Sequence, residues 1–136
     1  MPTFVKYYGF KIPRMLDINN KDDLEKLVRS FYERTTIDPL IGHYFQEVIK
    51  IDWNLHIPVI VNFWENILFS TGGYKGGMMY KHMNLNYLSA FKTIHFDRWL
   101  EIWKATVDEH FEGPRAEEVK FRANSIAIIM QTKMGV

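Results

Sequence analysis

The sequence contains no cysteine. That absence removes disulfides, thiolate nucleophiles, cysteine-ligated zinc and iron–sulfur clusters together. A surplus of either charge is also missing. Seventeen lysines and arginines stand against 16 aspartates and glutamates, a formal net charge of +1, and no like-charge run stands out. Nucleic acid and anionic membrane surfaces are therefore not expected as partners. No segment approaches the roughly 20 apolar residues that a membrane span needs. The opening stretch, MPTFVKYYGFKIPRML, lacks the uninterrupted apolar run of a secretory leader. These absences together lead us to expect a soluble, cytoplasmic protein. No repeat, low-complexity tract or linker interrupts the 136 residues, a length that suits one domain with a real core.

Aromatic side chains are plentiful: ten phenylalanines, seven tyrosines and four tryptophans. Such a density suits a protein lining a wide apolar cavity, and a crowded core explains it nearly as well. The remaining pattern reads as helices. Asn20 is placed to cap one, with Asp22 and Asp23 in its positive first turn and Leu24, Leu27, Val28 and Phe31 at helical spacing. That helix is expected to run to about Thr36, where Asp38-Pro39 stops it; PLIGHYFQEV comes next as a short helical piece. A second long helix covers about 53–69, with Ile57, Ile60, Val61, Trp64, Ile67 and Leu68 on one apolar face. Pro58 is cheap only near a helix start, so the regular part should begin close to Asn54, with His56 in its first turn.

Four of the eight glycines fall between 72 and 77, which predicts a loop over 70–79 and leaves a short helix around 80–90. Thr93 begins a further helix with Phe96, Trp99, Leu100, Trp103 and Val107 as its inner stripe. Gly113 ends it and Pro114 opens the last one. Ala116, Val119, Ala123, Ile126, Ala127, Met130 and Met134 give that last helix a narrow seam on which a neighbour can pack closely. Only the N-terminal arm, with Tyr7, Tyr8, Phe10 and Ile12 before Pro13, leaves a strand open as an alternative to a helix. The fold class is all-α.

Five histidines are the natural place to look for chemistry. His110 sits near a helix C-terminus, where the dipole is enough to explain it. His43 lies on a short polar turn and His95 at a helix start beside Asp97; both read as structural. His56 lies on the most apolar helix, and His82 comes after the glycine loop in YKHMNL. These two are 26 residues apart and no HExxH pattern is present, so a protein-only zinc site is poorly supported. A haem needs one good histidine, because the porphyrin supplies four nitrogens itself. Composition and spacing are compatible with that without specifying it.

Several pieces in series narrow the reading. FYER at 31–34, Phe45, DWNLHIPVIVNFW at 52–64, YKGGMMYKHMNL at 74–85, HFDRWLEIW at 95–103 and FEGPRAEEVKFRANSIA at 111–127 resemble the group III truncated haemoglobins in order and spacing. The resemblance runs from about residue 17 to 134 and implies a globin-like two-over-two helical sandwich around one haem b. Residues 1–18 then form an N-terminal extension and 19–136 the haem domain. His82 corresponds to the proximal iron ligand. Tyr32, His56 and Trp99 correspond to the distal groups that face a bound gas. Phe45 corresponds to the phenylalanine that wedges the haem, and Ile60, Phe63 and Trp64 to the wall of the distal helix. Phe31 and Met78 are further pocket candidates, as are Leu88 and Phe91 from the stretch NYLSAFKTI, which does not align with the family. Tyr74 and Lys81 are candidates for the propionates, Lys75 a weaker one.

The resemblance also implies binding of dioxygen and other diatomic gases at a pentacoordinate or weakly hexacoordinate iron. His56 either swings between solvent and ligand or binds the iron itself in the ligand-free state. Three polar groups above the ligand would slow its release and help polarise an O–O bond. That leaves room for chemistry with nitric oxide or peroxide, for which the sequence shows no flavin or nicotinamide motif of its own. A separate reductase would be the partner, and a monomer is expected. The competing class is a haem-free helical binding module, in which the aromatics are core and His82 a surface residue.

Overall fold

The computed structural model describes residues 4–7, 10–13, 15–45, 52–72 and 91–136. Asn20 opens the first helix, α1 (Lys21–Thr35), by accepting the Asp23 amide at 2.9 Å. Asp23 in turn accepts the amide of Asn19, the residue before the cap, at 2.8 Å, so the two side chains tie the chain entering the helix to its first turn. Leu24, Leu27, Val28 and Phe31 are buried as their spacing predicts, and Tyr32 and Thr35 join them. At the other end the Thr36 amide returns to the Tyr32 carbonyl at 3.1 Å.

Asp38 takes over from there. One carboxylate oxygen accepts the amides of Leu40 and Ile41 at 3.0 and 3.2 Å, starting a helical turn at 42–45. The other accepts Nε and a terminal nitrogen of Arg98 at 2.9 and 2.7 Å. Helix α2 (Trp53–Phe69) is capped by Asp52, which accepts the Asn54 amide at 3.1 Å, so it begins one residue before the expected Asn54. Pro58 lies inside it, one turn from the start, where the cost is small. Ile57, Ile60, Val61 and Trp64 are buried; Ile67 and Leu68, expected on the same face, are half-buried.

Helix α3 (Thr93–His110) buries His95, Phe96, Ile102, Trp103, Thr106 and Val107. The expected stripe is corrected here: Trp99 and Leu100 are only half-buried, and the inner face turns toward Ile102 and Thr106 instead. Thr106 fits such a face because its hydroxyl donates back to the Ile102 carbonyl at 2.7 Å. Helix α4 (Pro114–Met134) buries Ala116, Val119, Ala123, Ala127 and Met130, the small seam read from the sequence. Helix α1 packs on α2 and α3, and α4 on α3 and α2, which makes two helix pairs, one laid over the other. This is an all-α, globin-like arrangement. Among the described residues no helix is long and apolar enough to cross a membrane.

Ahead of the helices, strand β1 (Phe4–Tyr7) pairs antiparallel with β2 (Phe10–Pro13), Val5 opposite Ile12 and Tyr7 opposite Phe10. The arm is therefore a hairpin and not a first helix. Asp17 and Ile18, read as the end of this extension, pack with the helices. Ile18 is fully buried, and the Asp17 carboxylate accepts the Arg115 and Ala116 amides at 3.0 and 2.9 Å. Arg115 closes the loop by donating to the Ile18 carbonyl at 3.1 Å. Gly113 has a φ of +146°, and a Cβ there would stand 2.5 Å from Cγ of Asp17, so only glycine lets the acid reach the helix start.

Two measurements test these ties. Asp17→Ala should lower stability by about 1–2 kcal/mol, the ordinary worth of a helix cap; an unchanged urea midpoint would show that the cap is idle. For Asp38, burial pushes the carboxyl up, but Arg98 and the Leu40 and Ile41 amides outweigh it and hold the group below its ordinary range. Its contribution is then complete above the unfolded value of about 4 and is lost as pH falls through the lower folded one. Asp38→Asn should cost about 2–3 kcal/mol near neutrality, less than a wholly buried pair because Arg98 is partly exposed. Thermal melts from pH 7 to 2 should show that penalty shrinking only below pH 4 or so; a penalty constant across the series would remove the ion pair from the account.

Candidate functional site

Tyr32 sits in the last turn of α1, one position past Phe31, with its ring inside the molecule and 8% of its surface exposed. Its hydroxyl lies 3.0 Å from Nε2 of His56, in the first turn of α2. The hydroxyl is thus turned onto His56 and not out to solvent. Burial pushes the Tyr32 hydroxyl well above the ordinary tyrosine range, so it stays a neutral O–H, able to donate as well as accept. The bond has two versions. A bare Nε2 accepts the tyrosine proton, and a protonated Nε2 donates to the tyrosine oxygen.

Aromatic rings enclose this pair. Trp53 lies 4.8 Å from the Tyr32 ring centroid and 5.7 Å from that of His56; Phe45 lies 5.9 Å from Tyr32 and stands edge-on. Phe31 carries the contact inward, edge-on to Tyr32 at 5.1 Å, to Trp103 at 5.1 Å and to Trp99 at 6.1 Å. Trp64 stacks on Trp103 at 5.0 Å and meets Phe63 at 5.2 Å. On α2, His56, Ile60, Phe63 and Ile67 recur at the spacing of one helix side. Phe45, Phe63, Ile67, Trp99 and Leu100 are all half-buried against the core. The structure thus joins Tyr32, His56, Phe31, Phe45, Trp99, Phe63 and Trp64 through ring contacts, with Ile60 one turn beyond His56.

Phe91 falls elsewhere. It stacks on His95 at 5.3 Å, with planes 14° apart, and stands edge-on to Tyr44 at 4.7 Å and Phe96 at 4.9 Å. His95 Nδ1 accepts the Lys92 amide at 2.9 Å, which places the ring proton on Nε2, 3.5 Å from the Tyr44 hydroxyl. Burial, followed by the nearby charges of His43 and Lys92, keeps His95 below the ordinary histidine range and neutral. His95 therefore holds the start of α3 together, more than the plain helix-start residue read from sequence. His110 stands in the last turn of α3 as read from the sequence and also bonds to the Ser30 hydroxyl at 3.0 Å; burial first, then Lys26, lowers its pKa.

Sequence reasoning misses Trp53, which reads as no more than a helix start. The readable signal is its spacing of three residues before His56, which puts the two on neighbouring positions of one helix. His82, Tyr74, Met78 and Lys81 lie outside the described residues, as do Lys75 and Leu88.

No family model matches the chain. It is 27% identical over 118 residues to a group 3 truncated hemoglobin of Campylobacter jejuni, across 85% of this chain and 91% of that protein. It also superposes on the crystal structure of the group III truncated hemoglobin from Campylobacter jejuni with a TM-score of 0.75 and 26% sequence identity, across 88% of this chain and 94% of that one.

Proposed function

We infer that the chain, a globin of the group III truncated type in sequence and in structure, holds one haem b through His82 and binds dioxygen and other diatomic gases. The observation that carries this reading is the Tyr32 hydroxyl 3.0 Å from His56 Nε2, two polar atoms set together in an otherwise aromatic wall. The donor set suits a haem pocket. Phe45, Phe63, Ile67, Trp99 and Leu100 keep part of their apolar surface uncovered, as the wall of a flat apolar group requires. The haem supplies an iron with an open position for a gas; the chain does the rest.

That work is hydrogen bonding in a dry place. The neutral Tyr32 O–H would donate to a gas held at such an iron and strengthen its binding without placing a charge in the pocket. With His56 donating to the tyrosine oxygen, Tyr32 keeps its own proton for the ligand, and the two act as a chain. Trp99 adds an indole donor at the edge of the same ring cluster. As an iron ligand, His82 would need a hydrogen-bond partner at its second ring nitrogen to fix its tautomer. Slow release of dioxygen results, together with chemistry on nitric oxide or peroxide. The working unit is a cytoplasmic monomer re-reduced by a separate reductase.

The visible spectrum of the protein from haem-supplemented cells should show an intense porphyrin band at about one haem per chain, shifting with carbon monoxide after reduction. His82→Ala should abolish stable haem retention, and a variant that keeps full haem with an unchanged spectrum would overturn the assignment. Tyr32→Phe should speed dioxygen release by roughly 5- to 150-fold, the loss of about 1–3 kcal/mol of hydrogen bonding. Equal release rates in stopped flow would take Tyr32 out of the ligand's surroundings.

A further inference from the structure

Behind the Tyr32–His56 pair, on the outer side of α1, lies a cleft of about 260 Å³ lined by Arg29, Tyr32, Glu33, Thr36, Trp53 and Ile57. Its volume suits a molecule of about a dozen heavy atoms and is far below that of a porphyrin. Its floor is aromatic, with Trp53 tilted 53° against Tyr32 and the two centroids 4.8 Å apart. Its rim is polar and balanced, with one guanidinium and one carboxylate. Arg29 already spends Nε on Glu25 at 3.0 Å, leaving its terminal nitrogens as donors. With Arg29 held by Glu25, a small anion finds no free positive charge here, whereas a ring carrying hydroxyls finds aromatic rings, the Glu33 carboxylate as acceptor and the Arg29 terminal nitrogens as donors.

We propose that this cleft docks a small neutral phenol or quinol, and that the electron it gives up reaches the pocket through Trp53 and Tyr32. The proposal rests on the haem reading above and supplies the electron donor that reaction with peroxide needs. In balance, hydrogen peroxide and two phenols yield two phenoxyl radicals and two waters. Each phenol loses one electron and one proton. The proton passes from the phenol O–H to the Glu33 carboxylate and on to solvent. The electron crosses two rings in van der Waals contact, close enough for fast transfer. At Tyr32, the version of the bond in which His56 Nε2 is bare gives the ring's proton a place to move when an electron leaves. Glu33 and Arg29 face solvent at the mouth, so the donor enters without passing the gas-binding side.

The test uses the haem-loaded full chain with hydroquinone as probe. Saturation-transfer NMR under nitrogen should show hydroquinone bound. Its peroxide-driven oxidation should saturate, with Glu33→Ala raising KM at least fivefold. Trp53→Phe keeps a packed ring but is much harder to oxidise, and should cut kcat tenfold or more while KM moves less than threefold. Haem content and melting temperature, read on each variant, separate these effects from misfolding. If haem is bound but hydroquinone shows no saturation transfer, the docking site is wrong. If both variants turn over as the parent does, the route is wrong. A chain that takes up no haem overturns the underlying reading and this proposal with it.

Discussion

The indole of Trp103, on α3, touches each of the other long helices. It stacks on Trp64 of α2 with planes 16° apart and meets the edge of Phe31 from α1. Its Nε1–H donates to the Val119 carbonyl of α4 at 3.1 Å. A tryptophan buried to this degree, with 2% of its surface exposed, must satisfy its one donor or lose a large part of what its ring gains by burial. The seam of Ala116, Ala123 and Ala127 lets α4 come near enough for that to happen. A larger residue in the seam would push the carbonyl out of reach, and four helices would lose their common contact. The crossing of the two helix pairs is thus tied to one hydrogen bond as well as to apolar area.

This core has a direct line to the site. Phe31 lies with one edge on Trp103 and another on Tyr32, so the packing that fixes the first also fixes the second. The site needs no separate scaffold. What distinguishes it from the core is incomplete burial. Moving from Trp103 outward through Phe31 to Trp99, Phe45 and Phe63, the aromatic rings pass from buried to half-buried. A fold that buried them all would be better packed and would have no wall to offer a ligand.

How far the sequence can be read depends on the distance over which each feature acts. Asn20, Asp22, Asp23 and the Leu24–Phe31 stripe act within a turn or two, and α1 starts and runs as read. The Ala-rich seam of α4 is readable for the same reason. Asp17 is not, because its amide partners lie 98 and 99 residues away, and nothing local tells an acid that caps its own helix from one that caps another. On the inner face of α3, Phe96, Trp103 and Val107 are buried as read, whereas Trp99 and Leu100 are half-buried and Ile102 and Thr106 join the face, Thr106 because its hydroxyl can return to its own backbone. The resemblance picks out Tyr32 and His56 separately, and their bond is the structure's addition. Trp53 and Phe91 mislead in opposite directions, since an aromatic's partner depends on which helix faces it.

The Tyr32–His56 bond also bears on the two alternatives left open for His56. A histidine that binds the iron spends its outward ring nitrogen on the metal, and that nitrogen cannot meet a tyrosine hydroxyl at 3.0 Å at the same time. Swinging out to solvent breaks the same bond and leaves a deeply buried hydroxyl in need of a new acceptor. Each alternative therefore starts by giving up a bond worth about 1 kcal/mol, more where the group is left unpaired. Under the proposed haem reading, a gas molecule beside Tyr32 would change the balance, because it would accept the tyrosine's hydrogen bond in place of His56. With no ligand the bond favours the arrangement seen here, and with a ligand His56 stays bonded to Tyr32 only if its own Nε2 carries the proton. The tautomer of one imidazole thus decides whether the pair acts as a latch that a ligand must open or as a chain that it completes.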